Sequence, residues 1–321
     1  MNPDSRIYVA GHRGMAGSAI VNALQRRGYS NLVTRTHTEL DLGDQAAVRR
    51  FFAEEKIEGI YFAAARVGGI LANNTYPAEF IHDNLAIQNN LIHEAWRADV
   101  RSILFLGSSC IYPRDCPQPI REEYLLTGPL EPTNRPYALA KIAGVEMCWS
   151  YNRQYGTRYV CAMPTNLYGP GDTYDLRNSH VLPALILKCH LAKVGDQPSI
   201  TAWGSGKPRR EFLHCDDMAE ACVFMMQTIC DDDPTIFNDL APPLFNVGSG
   251  KDISISELVP LVAKIVGYRG DIVWDADKPD GTPQKLLSID RLERLGWRQR
   301  IALADGIAAA YEDFLRRGAQ A

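Results

Sequence analysis

The stretch LGSSCIYP, Leu106 to Pro113, carries an apolar run to a glycine and then sets two hydroxyls and a thiol side by side, Ser108, Ser109 and Cys110. Roughly thirty residues later NRPYALAKIAG holds Tyr137 and Lys141 just after Pro136, a residue suited to the first turn of a helix. Four residues apart on a helix, the two side chains share a face. A phenol with an ordinary pKa of about 10 is a poor proton carrier at neutral pH, and a neighbouring ammonium favours its phenolate. Tyr137 then exchanges a proton with a carbonyl or alcohol oxygen while hydride moves, and Ser108 hydrogen-bonds the same oxygen. Cys110 reads two ways on its own, as a small core filler or as a working thiol.

Hydride chemistry needs a nicotinamide, and GHRGMAG supplies a place for one. Gly11, His12, Arg13, Gly14, Met15, Ala16 and Gly17 follow an apolar strand and open a helix, with glycines at intervals of three. Such glycines permit a tight turn, close approach of the backbone to a pyrophosphate and close packing of helix on strand. At the end of the second strand, where an acid would accept from a ribose 2'-hydroxyl, the chain has Thr34 and Arg35. With Arg13 in the loop, two cations near that corner favour NADP(H), and His37 adds a weaker donor.

The elements that must position these groups alternate. RIYVAG, NLVTR, GIYFAAA, SILFLG and RYVCAMP read as strands, and AGSAIVNALQRRG, DQAAVRRFFAEEK and Pro77 to Ala98 as helices. This spacing predicts an α/β fold, a doubly wound parallel sheet of Rossmann type with ligands at the carboxyl ends of its strands. Residues 1–165 are expected to form the NADP-binding domain. Residues 166–321 are expected to form mainly a smaller α/β substrate-binding lobe with a final helix from Ala302 to Arg317, some later segments threading back. PTNLYGPGD reads as a loop, VLPALILKCHLAK and SISELVPLVAKIVGY as helices, and SITAW as a strand.

A chain of 321 residues with 46% apolar content can bury a sizeable core. Its net charge of −4, spread without a long basic run, argues against nucleic acid as a partner. No segment approaches the roughly 18 apolar residues of a membrane span, and Met1 to Arg6 has no secretion signal, so a cytoplasmic, soluble protein is expected. The eight cysteines, at 110, 116, 148, 161, 189, 215, 222 and 230, show neither CxxC pairs nor zinc spacing, which leaves no metal site and no disulfide framework in view.

The glycine loop with Ser108, Tyr137 and Lys141 resembles the extended short-chain dehydrogenase/reductase family. At finer grain GHRGMAGSAI, VGGILANNTYPAEF, LGSSCIYP, EPTNRPYALAKIAG, MPTNLYGPGD, NSHVLPAL, WGSGKPRREFLH and KPDGTPQKLL are similar to its NADPH-dependent epimerase/reductases of GDP-linked 4-keto-6-deoxy sugars. The resemblance implies 3,5-epimerisation followed by 4-reduction of GDP-4-keto-6-deoxy-D-mannose. Hydrogens at C3 and C5 of such a ketone are acidic, and inverting both centres needs a base and an acid besides the groups at the carbonyl oxygen. By resemblance Cys110 is the base and His180 the acid.

The resemblance further implies cofactor contacts from Asp41, Leu42, Leu106, Gly107, Ser109, Pro164, Thr165, Asn166 and Leu167, with Lys141 and His180 shared between cofactor and reaction. Lys188, Trp203, Arg210 and Asp280 become substrate contacts, beside further available cations at Arg209 and Lys285. A homodimer packed through the helices after Pro77 and Pro136 is implied as well. His37 stands where the family can carry an arginine against the 2'-phosphate, which points to weaker NADP selectivity or to reliance on Arg13 and Arg35. Related GDP-4-keto-sugar enzymes of colitose or heptose type, a nucleotide-sugar 4-epimerase or 4,6-dehydratase, and a sensing module without chemistry are the competing readings.

Overall fold

The computed structural model describes residues 1–176, 179–229, 233–277, 280 and 282–318. Cys230, together with Asn178, Lys278, Pro279 and Gly281 of the quoted motifs, lies outside the described residues. The first part runs β1 (Ile7–Ala10), α1 (Met15–Arg26), β2 (Leu32–Val33), α2 (Gln45–Glu55), β3 (Gly59–Phe62), α3 (Ile70–Thr75), α4 (Pro77–Arg97), β4 (Ser102–Leu106), α5 (Arg135–Tyr155) and β5 (Arg158–Pro164). It continues with β6 (Asn166–Tyr168), α6 (Val181–Val194), β7 (Ser199–Trp203), β8 (Arg209–His214), α7 (Cys215–Thr228), β9 (Leu244–Val247), β10 (Asp252–Ser254), α8 (Ile255–Val266), β11 (Asp271–Asp275), β12 (Gln284–Lys285), α9 (Asp290–Arg294) and α10 (Leu303–Arg317).

Six parallel strands form the main sheet in the order β2-β1-β3-β4-β5-β9. Its strands are buried on both faces, and successive side chains sort between two cores as the period of two demands. Tyr8, Ala10, Ile60, Phe62, Ile103 and Phe105 join α2, α4 and α5 on one face. Ile7, Val9, Tyr61, Leu104 and Leu106 join α1 and α7 on the other. Each such Ile, Leu or Phe contributes about 1.5–3 kcal/mol by leaving water. The sheet is the predicted doubly wound layer, with its outermost strand β9 and helix α7 drawn from beyond residue 165.

Local signals set the helix ends. Asp44 caps α2 by accepting from Ala46 N and Ala47 N at 2.8 and 3.1 Å. Proline opens α5, and Gly156 at φ 65° closes it. Ser254 and Glu257 form a reciprocal capping box on α8.

The second layer is smaller. β8 pairs with β10, β12 and β6, β7 pairs in parallel with β11, and α6, α8 and α10 close a third core over them. PTNLYGPGD is therefore not wholly a loop: Asn166–Tyr168 is strand β6, aligned with Phe212–His214 of β8. Three residues between proline and glycine give too short a periodic run to be read as a strand, and its partner lies far along the chain. Glu211, fully buried, accepts from Gly250 N at 2.7 Å and Leu287 N at 2.9 Å, and its carbonyl accepts from Thr165 Oγ and Asn166 Nδ2. Through its carbonyl Glu211 ties the smaller layer to the end of β5, while its carboxylate holds the loops at Gly250 and Leu287 together.

Candidate active site

The segments leaving the carboxyl ends of β1, β3, β4 and β5 face the smaller layer across one cleft of about 1380 Å³. At one end of it Gly11 takes φ 83°, where a side chain would also meet the Ala64 backbone at 2.7 Å. A Cβ on Gly17 would fall on the Gly11 carbonyl oxygen. Gly14 occupies the cap position of α1, and no side chain covers the helix's first turn. This is a bare-backbone cradle with free amides, and it fits a dinucleotide pyrophosphate.

Gly11, Gly14, Met15, Ala16 and Gly17 line the cleft, as do Arg35, Asp41, Leu42, Leu106, Gly107, Ser109, Pro164, Thr165, Asn166 and Leu167. His12 and Arg13 do not, although they lie in the same turn. Arg35 lies over the Phe51 ring at 5.6 Å and pairs with Glu55, which also pairs with Arg6. Two cations share one carboxylate there, so the trio carries net positive charge and suits an added phosphate. His37 also faces the cleft, its Nδ1 3.7 Å from Asp41.

Further in, β4 ends and its side chains turn into the cleft. Ser108 is extended and caps the short turn Ser109–Ile111, its Oγ accepting from Cys110 N at 3.4 Å. The turn buries the Cys110 side chain, 7% exposed, against the cleft wall. Across from it the first turn of α5 delivers Tyr137 and the second Lys141, whose ammonium donates to the Leu106 carbonyl at 2.8 Å and lies 5.8 Å from the Tyr137 ring centre.

Burial dominates the titration of this cluster. It drives the Tyr137 phenol far above its ordinary value, with Cys110 adding to the rise, and it lowers Lys141 to about 8. The Cys110 thiol is likewise pushed up by burial, against the opposing pull of Lys285, Ser108 and Lys141. At both the phenol and the thiol desolvation outweighs the neighbouring cations, against the expectation that the ammonium beside Tyr137 would favour its phenolate.

His180 lines the lip of the cleft and caps α6 through its backbone. Burial of the ring, then the charge of Lys285, holds its pKa below the usual histidine value. Arg210 and Asp280 line the same end: Arg210 donates to Thr282 O at 2.6 Å, and Asp280 accepts from Ser205 N and Oγ at 2.8 and 2.6 Å. Those bonds to Ser205 hold the Asp280 carboxyl low. Lys188 and Trp203 stand apart, outside the cleft lining. The Lys188 ammonium donates to Thr201 O at 2.8 Å and lies 5.6 Å from the Trp203 ring centre, and the ring itself is 64% exposed.

Several lining residues had no role in the sequence reading. Arg66, paired with Asp83 at 2.6 Å, and Asn73 come from the VGGILANNTYPAEF region, where no recognised chemistry singles out a residue. Asn134 precedes Tyr137, and its place beside a proposed proton carrier was the available signal. Outside the cleft, His214, Cys215 and Asp216 bring ligand-type atoms within 4.8 Å. Here His214 Nδ1 accepts from Asp216 N at 3.2 Å as the cap of α7.

Three resemblances bear on the chain. It is 53% identical to the GDP-L-fucose synthase of Escherichia coli (strain K12) over 313 residues, covering 97% of this chain and 96% of the relative. A GDP-6-OMe-4-keto-L-xylo-heptose reductase from C. jejuni superposes with a TM-score of 0.93 at 40% identity, over 99% of each chain. A GDP-L-fucose synthetase from Naegleria fowleri bound to NADP does so with a TM-score of 0.87 at 25% identity, over 100% of this chain and 97% of that one. Since residues 7–239 also match it, the chain belongs to the NAD dependent epimerase/dehydratase family.

Proposed function

We propose that the protein epimerises GDP-4-keto-6-deoxy-D-mannose at C3 and C5 and reduces it at C4 with NADPH, giving GDP-L-fucose. The observation that carries this reading is the gathering of Ser108, Tyr137, Cys110, His180 and Arg210 around one cleft that begins at a dinucleotide cradle. The relatives' activities support the substrate class.

In this reading the cofactor is held by Gly11 to Gly17, Arg35, Asp41, Leu42 and the strand ends at Leu106 to Ser109 and Pro164 to Leu167. The chemistry supplied by NADPH when bound is hydride donation to C4. Ser108 and Tyr137 hydrogen-bond the ketone oxygen, which stabilises the enolate formed when a neighbouring C–H bond breaks. Cys110 as thiolate takes the proton from C3 or C5 and His180 as imidazolium returns one to the opposite face, and proton exchange of both groups with solvent restores thiolate and imidazolium before the second inversion. After both inversions Tyr137 gives its proton to the C4 alkoxide, and Lys141 favours the phenolate left behind. Arg210 binds the diphosphate, while Lys188 and Trp203 hold the far end of the nucleotide.

We further propose a homodimer packed through α4 and α5. Their shared outer face stacks Trp96 on Tyr155 at 4.3 Å and leaves Tyr155 40% exposed. Among the described residues no helix is long and apolar enough to cross a membrane. Action in a reducing cytoplasm, without nucleic-acid or membrane partners, completes the proposal.

Incubation with GDP-4-keto-6-deoxy-D-mannose and NADPH in deuterated water tests it. The expected product is GDP-L-fucose carrying deuterium at C3 and C5, with one NADPH consumed per sugar. Turnover without added NADPH, or a product reduced at C4 with C3 and C5 unexchanged, would refute it.

A further inference from the structure

Two asparagines in the cleft wall have buried oxygens with nothing to accept. Asn73, on α3, is 5% exposed and directs its Nδ2 to the carbonyls of Gly68 and Gly69 at 2.8 and 3.1 Å. Those two bonds fix the orientation of the amide, because turning it over would set oxygen against two carbonyl oxygens. Its Oδ1 is left buried and without a donor.

Asn134 ends the short turn Pro132–Asn134 just before α5. At this position asparagine ordinarily caps the helix, yet its side chain makes no cap bond, and its Oδ1 is buried and unpartnered among the described residues. α3 packs on this turn, and both asparagines line the cleft. The wall continues into Tyr137, whose ring meets Phe80 edge-on at 6.4 Å. Buried polar atoms in folded proteins almost always find partners, so two orphaned acceptors on residues that line one cavity point to a ligand bearing donors.

We infer that Asn73 and Asn134 form an acceptor pair that reads hydroxyl groups on the sugar ring, and so helps to select which keto sugar is processed. The inference rests on the proposed function, which puts that ring beside Tyr137. A hydroxyl is the donor that fits: an ionised phosphate and a carbonyl offer only acceptors. The dinucleotide cradle at β1 and α1 occupies the other end of the cleft. A site built to bond a hydroxyl discriminates strongly against its absence, because the acceptor is then left buried and dry.

The test compares GDP-4-keto-6-deoxy-D-mannose with analogues lacking the 2-hydroxyl or the 3-hydroxyl, for the unaltered protein, Asn134→Ala and Asn73→Leu. The unaltered protein should lose about tenfold or more in kcat/KM on one of the analogues. Asn134→Ala should lose a similar factor on the parent sugar and less than about twofold more on that analogue. NADPH affinity, followed by fluorescence, should stay the same. Asn73→Leu also removes two loop bonds, so if it fails to fold, Asn134→Ala carries the test, since no internal bond is lost there. Equal losses on parent and analogues in the variant, or weakened NADPH binding in it, would overturn the inference while leaving the reaction in place. Failure of the unaltered protein to turn over the parent sugar would instead remove the proposed function, and this inference with it.

Discussion

Two lysines face the cleft from opposite walls, and they are held in different ways. Lys141 belongs to the 21-residue helix α5, is 3% exposed, and has its ammonium bound to the Leu106 carbonyl and 4.7 Å from the Phe105 ring centre. Lys285 sits on β12, a strand of two residues aligned with Arg210 of β8, and its ammonium makes no hydrogen bond or ion pair to a described residue. Cys110 lies within the field of both. The scaffold thus satisfies the cation at the carbonyl end and leaves the cation on the small layer for whatever negative charge arises. A group already satisfied is suited to holding geometry, and an unsatisfied one to responding to charge.

The largest expected effect tests the fixed side. Tyr137→Phe removes the proton that the alkoxide needs and keeps the ring's packing on Phe80. NADPH oxidation with the keto sugar should fall by about 10²–10⁴ in kcat, with NADPH affinity little changed. Steady-state rates beside a fluorescence titration check this. A loss below tenfold would mean that another group delivers the proton, and the α5 wall would lose its assigned part.

The two walls also differ in how far the sequence discloses them. Gly11 to Gly17, Ser108 to Cys110, and Tyr137 with Lys141 are contiguous or one turn apart, so local rules of turn, strand end and helix face were enough to bring them forward. The main sheet was legible for the same reason, since each strand is followed by a helix of ordinary length. The small layer is built from pairings distant along the chain, such as Lys285 with Arg210 and Asn166 with Phe212. No periodic run marks strands of two or three residues, so β6, β10 and β12 escape a reading by pattern. The orphaned oxygens of Asn73 and Asn134 were equally hidden, because what a side chain lacks is a property of the folded surroundings. His180, Arg210, Lys188 and Trp203 had suitable chemistry but gained their roles from resemblance, and of these Lys188 and Trp203 lie beyond the cleft lining.

Lys285→Met sharpens the contrast from the responsive side. Lys285 pulls the Cys110 thiol down against burial and also lowers His180. The reaction needs thiolate and imidazolium together, with the thiol held high and the imidazole held low, so hydrogen exchange at C3 and C5 should rise with pH up to the imidazole's pKa and fall above the thiol's. Removing the cation raises both pKa values, so both limbs of the exchange profile should move to higher pH, with exchange on the rising limb falling about tenfold for each unit moved. Exchange in deuterated water across pH 6–10, as a rough span, reads this. An unmoved profile with weaker substrate binding would make Lys285 a phosphate ligand alone.

The smallest effect concerns the far end of the cradle, where Arg35 resembles Lys141 more than Lys285, being already paired with Glu55 and stacked on Phe51. Its charge is nonetheless not cancelled, because Glu55 also serves Arg6. A phosphate on the ribose would accept from the guanidinium and share that excess charge, while a bare ribose hydroxyl would gain little. Arg35→Ser should therefore lower kcat/KM for NADPH by about tenfold, the value of one charge-assisted hydrogen bond, and leave NADH within about twofold. Because Arg13 lies outside the cleft lining and His37 is a weaker donor, neither should make good the loss. Equal losses for both cofactors would place Arg35 among the residues that hold the β2 corner together, and the 2'-phosphate would need another partner.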